Sequence, residues 1–310
     1  MKEALYWVGA GDNAVLCTLC PHKCRINDNA TGICGVRANF KGTLFTPWYG
    51  MVPSLALDPV EKKPLYMFMP GRYVLSIGGY GCNLKCRFCQ NYEISTVRLP
   101  VAEKESNKVS NRNPDDEEVP GGAARRPGGT QFTPEDILSH AKKTIHNGNI
   151  GVAYTYNEPL TGYEFLLDCA VLVRSSGLKN IIVTNGFINE EPLEALLPFI
   201  DAMNIDLKGF TEEFYRNVGG SLEAVKNTIL RSCARTHVEI TTLVIPGENE
   251  DDIEDLSKWL ASIDPEIPLH LSRFFPRYRY SDRQATTRET ILQLRDIAGK
   301  HLKNVFAGNM

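Results

Sequence analysis

The 310-residue chain predicts an α/β fold: a partial (β/α)6 barrel of the TIM-like kind, preceded by a small cysteine-rich segment. Three observations predict it. Short apolar strands alternate with amphipathic helical stretches in six successive units from Arg72 onward, and the connections are mostly a few residues long, as parallel pairing requires. No glycine-rich GxGxxG turn follows the first strand, so the usual dinucleotide signal of a doubly wound sheet is missing and a barrel fits better. Seven of the 9 cysteines fall in two short clusters, one before the first barrel strand and one directly after it.

Residues 1–70 are rich in cysteine, glycine, proline and aromatic side chains and show no long helical period. So few regular elements bury little core alone, so this segment reads as a wrap stapled by its cysteines. Residues 71–310 read as the barrel. Tyr73-Val74-Leu75-Ser76-Ile77 is a buried strand ended by Gly78-Gly79. The stretch from Val101 to Thr130 is polar and rich in proline, glycine and mixed charge, and reads as a disordered insertion.

Thr133-Pro134-Glu135-Asp136 opens a helix with a cap, a proline at the first position and acids in the first turn. Gly151 to Thr155 is the second strand, and the helix after it runs to Ser176, where Gly177 stops it. Ile181 to Val183 is the third strand, followed by a helix near Leu193 to Leu197. Ala202 to Leu207 is the fourth, with a helix from Ser221. Val238 to Ile245 is the fifth, with a helix carrying Ile253, Leu256, Trp259 and Leu260. Leu269-His270-Leu271 is the sixth. The last helix starts at Thr286, with Glu289 placed for a capping box.

Composition narrows the function classes. Lysine plus arginine number 34 against 37 acids, a net charge of −3, which argues against general polyanion or nucleic-acid binding. No apolar run approaches the roughly 18 residues of a membrane helix. The opening MKEALYWVGAGD lacks an export signal, and odd, clustered cysteines fit metal better than disulfides, so a cytoplasmic location is expected.

The chemistry sits at strand ends. GCNLKCRFCQN places Cys82, Cys86 and Cys89 in C-x3-C-x2-C spacing immediately after the first strand, where a barrel builds its active site. Three thiolates on one tight loop can ligate three irons of a cubane cluster and leave the fourth iron open; a structural zinc site lacking its fourth ligand, or three unrelated thiols, is the alternative. Cys17, Cys20, Cys24 and Cys34 form a second, complete tetrahedral set in C-x2-C-x3-C-x9-C spacing, suited to structural zinc or to an auxiliary iron–sulfur cluster; His22 lies within it. Cys169 and Cys233 fall in helices and read as core. Asn157 and Glu158 end the second strand, and Thr184-Asn185-Gly186-Phe187 the third. On the fourth, Asn204, Asp206 and Lys208 alternate with Ile205 and Leu207, so period two turns the polar three into the barrel. Those charges need a ligand or each other. His270 closes the sixth strand.

CxxxCxxC with an aromatic residue before its third cysteine resembles the radical S-adenosylmethionine (SAM) superfamily. The resemblance implies a 4Fe–4S cluster whose open iron is chelated by SAM, and reductive cleavage of SAM to a 5'-deoxyadenosyl radical for hydrogen abstraction. An electron donor of the flavodoxin or ferredoxin kind is implied, with a protein or a small molecule as substrate. It carries SAM-binding roles onto Asn157 and Glu158, and, by likeness to pyruvate formate-lyase activating enzymes, onto Asp206, Lys208 and His270. Phe88 would lie near the adenine, and Val244-Ile245-Pro246-Gly247 near adenosine. Val183 departs from the pattern, because the activases carry an acid there that helps hold a monovalent cation. The arrangement LCPHKC…GICGVR, then DPVEKKPLYMFMPG, then the triad, resembles the radical SAM enzyme of the AmmeMemoRadiSam system more narrowly. Two other expectations stand beside that enzyme: an activase that installs a glycyl radical on a partner protein, and a zinc-bound scaffold without catalysis.

Overall fold

The computed structural model describes residues 1–98 and 128–310. Eight strands make one sheet: β1 (Ser54–Pro59), β2 (Tyr73–Gly78), β3 (Asn149–Tyr154), β4 (Lys179–Thr184), β5 (Ala202–Asp206), β6 (His237–Val244), β7 (Leu269–Arg273) and β8 (Val305–Gly308). Spatial order follows chain order throughout. β2 to β8 pair in parallel, and β1 adds to β2 antiparallel, with Tyr73 opposite Pro59 and Gly78 opposite Ser54. The six expected strands are β2 to β7. β1 comes from the segment expected to stand apart, and β8 is a four-residue strand with no polar–apolar alternation to announce it.

Alternation along these strands separates two layers. Leu75, Ile77, Val152, Tyr154, Ile182, Met203 and Ile205 join the large core shared with the helices. Val74, Ala153, Ile181 and Ala202, one from each of four neighbouring strands, pack with Val60 and Leu65 in a second, smaller cluster. The chain leaving β1 therefore turns under the barrel and plugs its floor. Glu239 accepts there from the backbone N–H of Tyr66 (2.9 Å) and Met67 (2.8 Å), and Asn204 Nδ2 donates to the Pro64 carbonyl at 2.8 Å.

Several helices start at a side-chain cap. Thr133 accepts from the Asp136 N–H while Asp136 accepts from Thr133 N–H, a complete capping box ahead of helix Pro134–Lys143. Ser221 caps Leu222–Cys233, and Gly177, at φ +75°, follows Tyr163–Ser175. The last helix begins one residue later than its sequence suggests. Thr287 caps Arg288–Ala298 by accepting from Thr290 N–H, and Glu289 makes no box. Thr286 is buried instead, donating to the Val244 carbonyl (2.6 Å) and accepting from Phe274 N–H.

Residues 2–52 form short strands in small antiparallel sheets. Their apolar residues Val15, Cys17, Leu19 and Ile26 belong to the same core as the barrel helices. A buried ion pair holds the contact: Arg37 Nη1 lies 3.0 Å from Glu164 Oε1, which also accepts from Leu5 N–H at 2.7 Å. The insertion expected from Val101 to Thr130 lies, through residue 127, outside the described residues. Its last three are ordered against the wrap, with Tyr80 Oη donating to the Gly128 carbonyl and Thr130–Gln131 pairing with Met51–Val52. No helix among the described residues is long and apolar enough to cross a membrane.

Candidate active site

The cysteine triad leaves the carboxyl end of β2 through Gly78-Gly79-Tyr80-Gly81. Gly81 has φ +83°, and a Cβ there would stand 2.7 Å from the Cys34 carbonyl and 2.6 Å from Val36. Only glycine allows this approach, and it seats the quartet segment directly against the triad loop. Asn157, at the end of β3, clamps the same turn. Its Oδ1 accepts from Gly79 N–H at 2.8 Å and its Nδ2 donates to the Gly81 carbonyl at 3.0 Å.

Cys82, Cys86 and Cys89 are free, half-buried thiols that influence one another electrostatically. Burial pushes the Cys82 thiol well up, with Glu158 adding to it, and pushes Cys86 up to about 11 against the pull of Lys208. Two N–H groups point at Cys82 Sγ, from Leu84 backbone (3.4 Å) and Asn185 Nδ2 (3.6 Å). Donors aimed at a buried sulfur suit a thiolate bound to metal.

Asp206 and Lys208 form an ion pair of 2.9 Å at the end of β5. Burial by itself would favour a neutral lysine, but Asp206 and the Cys86 sulfur outweigh it and hold the ammonium charged. Asn249 ties the Ile245-Pro246-Gly247 turn to the same strand end, donating to the Lys208 carbonyl (2.7 Å) and accepting from Ile245 N–H (2.8 Å).

The other residues expected at the cofactor have partners within the chain. Glu158 is buried and accepts from Thr184 Oγ1 (2.7 Å), Asn185 N–H (2.8 Å) and Leu160 N–H (3.1 Å). Burial raises its pKa to about 7 despite those donors. His270 faces inward, as its alternation says, but turns to the floor. Its Nε2 lies 2.6 Å from Glu239 Oε2, and its ring stacks on Phe306 and meets Tyr66 edge-on. His237 binds the other Glu239 oxygen at 2.9 Å. Phe88 packs at 6.0 Å from Tyr280 and 6.3 Å from Phe214, inside the loop's own core. Val183 lines β4 with no acid beside Thr184.

The quartet Cys17, Cys20, Cys24 and Cys34 lines one small cavity, together with His22, Asn83 and Thr161. Cys20 accepts from His22 N–H, Cys24 from Ile33 N–H, and Cys34 from Val36 and Arg37 N–H. The buried Arg37 guanidinium adds positive charge near Cys17 and Cys34. His22 is engaged elsewhere, with Nε2 2.7 Å from the Asn83 carbonyl. Among the described residues no three cysteine, histidine or acidic side chains already have the spacing of a bound ion. The fit of both clusters to metal lies in their donor sets and in the N–H groups aimed at sulfur. Cys169 is buried in its helix and Cys233 half-buried in its own.

Sequence reasoning passed over Asn83, Asn249 and Glu239, and gave Asn185 a place at the end of the third strand but no role. An asparagine next to a triad cysteine, and one directly after a strand, were the available signals, since a short amide there satisfies loop backbone.

The family model described as the Radical SAM superfamily matches residues 76–260. An uncharacterized protein of Methanocaldococcus jannaschii is 38% identical over 100% of this chain and 86% of its own. The pyruvate formate-lyase-activating enzyme of Clostridium pasteurianum is 24% identical over 61% of this chain and 72% of that one. Among solved structures, methylornithine synthase superposes with a TM-score of 0.50 at 15% identity, covering 78% of this chain and 73% of that chain, a likeness of fold. With the cysteine loop at the end of the first barrel strand, these matches show that the chain belongs to the radical SAM superfamily, whose members are enzymes that use a 4Fe–4S cluster and SAM.

Proposed function

We propose that Cys82, Cys86 and Cys89 hold the catalytic 4Fe–4S cluster, and that Asp206 and Lys208 receive the zwitterionic aminoacyl end of SAM beside it. When bound, cluster and SAM supply a 5'-deoxyadenosyl radical that abstracts hydrogen from a substrate. One observation carries the reading: Asp206 and Lys208 pair at 2.9 Å at the carboxyl end of β5, the same end of the parallel sheet at which the triad loop leaves β2. A paired lysine and aspartate offer one charge to a carboxylate and one to an amine. Asn157 and Glu158 act at one remove, bracing the loops that carry Cys82 and Asn185. His270 belongs to the floor, where it keeps the lumen closed below the reacting centre.

The quartet Cys17, Cys20, Cys24 and Cys34 holds a second metal. Four thiolates leave no open position, so zinc or an auxiliary cluster there braces the wrap and does not take substrate. The electron comes from a flavodoxin- or ferredoxin-like donor. A second reading, activation of a glycyl radical enzyme, is favoured by the likeness to activating enzymes. The narrower likeness to the AmmeMemoRadiSam enzyme rests on the residues quoted from the sequence.

Anaerobic reconstitution with iron and sulfide tests this. Wild type should bind about four irons at the triad and release 5'-deoxyadenosine from SAM under reduction, and Cys86→Ser should do neither. Full activity in Cys86→Ser would sink the assignment. A glycyl-radical EPR doublet on a partner protein would decide for the second reading.

A further inference from the structure

A continuous set of polar contacts joins the two thiol clusters. His22 stands between Cys20 and Cys24, and its Nε2 reaches the Asn83 backbone carbonyl at 2.7 Å. A carbonyl only accepts, so that nitrogen carries the proton. The ring is held edge-on to Phe187, with centroids 5.1 Å apart. Asn83 follows Cys82 directly and is buried. Its Nδ2 donates to the Phe187 carbonyl at 2.7 Å, and its Oδ1 accepts from Asn185 Nδ2 at 2.9 Å.

Asn185 is buried too, and its amide orientation is settled by its partners. Oδ1 accepts from Phe187 N–H at 2.9 Å, so the other end of the amide must be the nitrogen. One Nδ2 hydrogen serves Asn83. The second is directed at Cys82 Sγ, 3.6 Å away. The Asn185 backbone N–H is also engaged, by Glu158. Every polar group of Asn83 and Asn185 named here thus works to hold one N–H on one cysteine sulfur.

We propose that Asn185 is a positioning residue that sets the reduction potential of the metal centre on Cys82, and that the quartet loop fixes its donor through His22 and Asn83. The inference rests on the reading that the triad holds a 4Fe–4S cluster. Reduction adds negative charge to cluster and sulfurs, and an N–H aimed at a ligating sulfur stabilises that charge and raises the potential. Removing the donor makes the cluster harder to reduce. Loosening the quartet loop does the same to a smaller degree, because the Asn83 carbonyl then loses its tether.

The test is an EPR-monitored redox titration of the reconstituted holoprotein, with iron content measured on the same samples. The triad signal is identified by its loss in Cys86→Ser. In Asn185→Ala, iron content should stay at the wild-type value. The ratio of reduced to oxidised cluster at the wild-type midpoint should fall about tenfold, a shift of ~59 mV to lower potential for a one-electron couple. His22→Ala should shift the midpoint in the same direction by less. Full iron content with an unmoved midpoint in both variants overturns the inference. Should Asn185→Ala fail to fold or to hold iron, His22→Ala decides alone: a lowered midpoint supports the coupling, and an unmoved one overturns it. A wild type without iron at the triad overturns the proposed function, and this inference with it, before any variant is read.

Discussion

The mouth and the floor of this barrel are built from the same strands and carry the same kinds of side chain, yet their charges are satisfied to different degrees. At the floor, Glu239 accepts from two backbone N–H groups and two histidines, and its carboxyl is held down at about 2 although burial pushes the other way. At the mouth, Asp206 and Lys208 have chiefly each other, with the Cys86 sulfur alongside. The Asp206 side chain keeps 30% of its surface exposed, against none for Glu239. On the proposed reading, a bracing charge differs from a ligand-binding one in how fully it is already satisfied, because a saturated carboxylate has little left for a ligand. Glu158 makes the point within the mouth itself: three donors hold it, so it braces.

Breaking each end should therefore give different losses. The largest is at the triad, where Cys86→Ser should abolish 5'-deoxyadenosine release, read by chromatography after anaerobic turnover, while the thermal midpoint of the metal-free protein barely moves. Asp206→Asn tests the ion pair at the mouth. It leaves Lys208 without its partner at the mouth, and SAM affinity should weaken about tenfold, or ~1.4 kcal/mol, by equilibrium dialysis; unchanged affinity would make this pair a structural one. Glu239→Gln at the floor should cost ~3 kcal/mol in urea unfolding, since it strands His270 and His237, with SAM affinity intact.

The same variant has a pH signature. The Glu239 carboxyl sits below its ordinary 4.5, so its contribution to stability is complete above that pH and drains away as pH falls toward about 2. The difference in urea midpoint between wild type and Glu239→Gln should therefore shrink as pH drops through that window. A constant difference would mean the carboxylate is not what holds the floor. The smallest effect belongs to Phe88→Leu. Packing against Phe214 and Tyr280 predicts a loss of ~1 kcal/mol in stability and no change in SAM affinity. A larger loss of affinity than of stability would put the ring against the adenine.

Much of this was readable from the chain alone. Six strands, the faces of Asp206, Lys208 and His270, the cap at Thr133, the helix from Ser221, and the thiol loop after the first strand all follow from local spacing, since period, cap chemistry and cysteine separation act within a few residues. The level at which His270 works did not follow. Alternation says which way a side chain leaves its strand, but the ring's partner, Glu239, is 31 residues earlier and is brought beside it only by β6–β7 pairing. The pairing of β1 with β2, the floor plug from Pro64 to Met67, and the seating of Cys34 on Gly81 are likewise contacts between distant residues, and no local pattern encodes them. By itself the sequence determined the chemistry on offer: three thiols at a strand end, four in a wrap, and charged residues facing inward. Tertiary structure decided which of those groups are spent on one another and which remain for a ligand, because hydrogen-bond saturation is set by neighbours in space rather than in sequence.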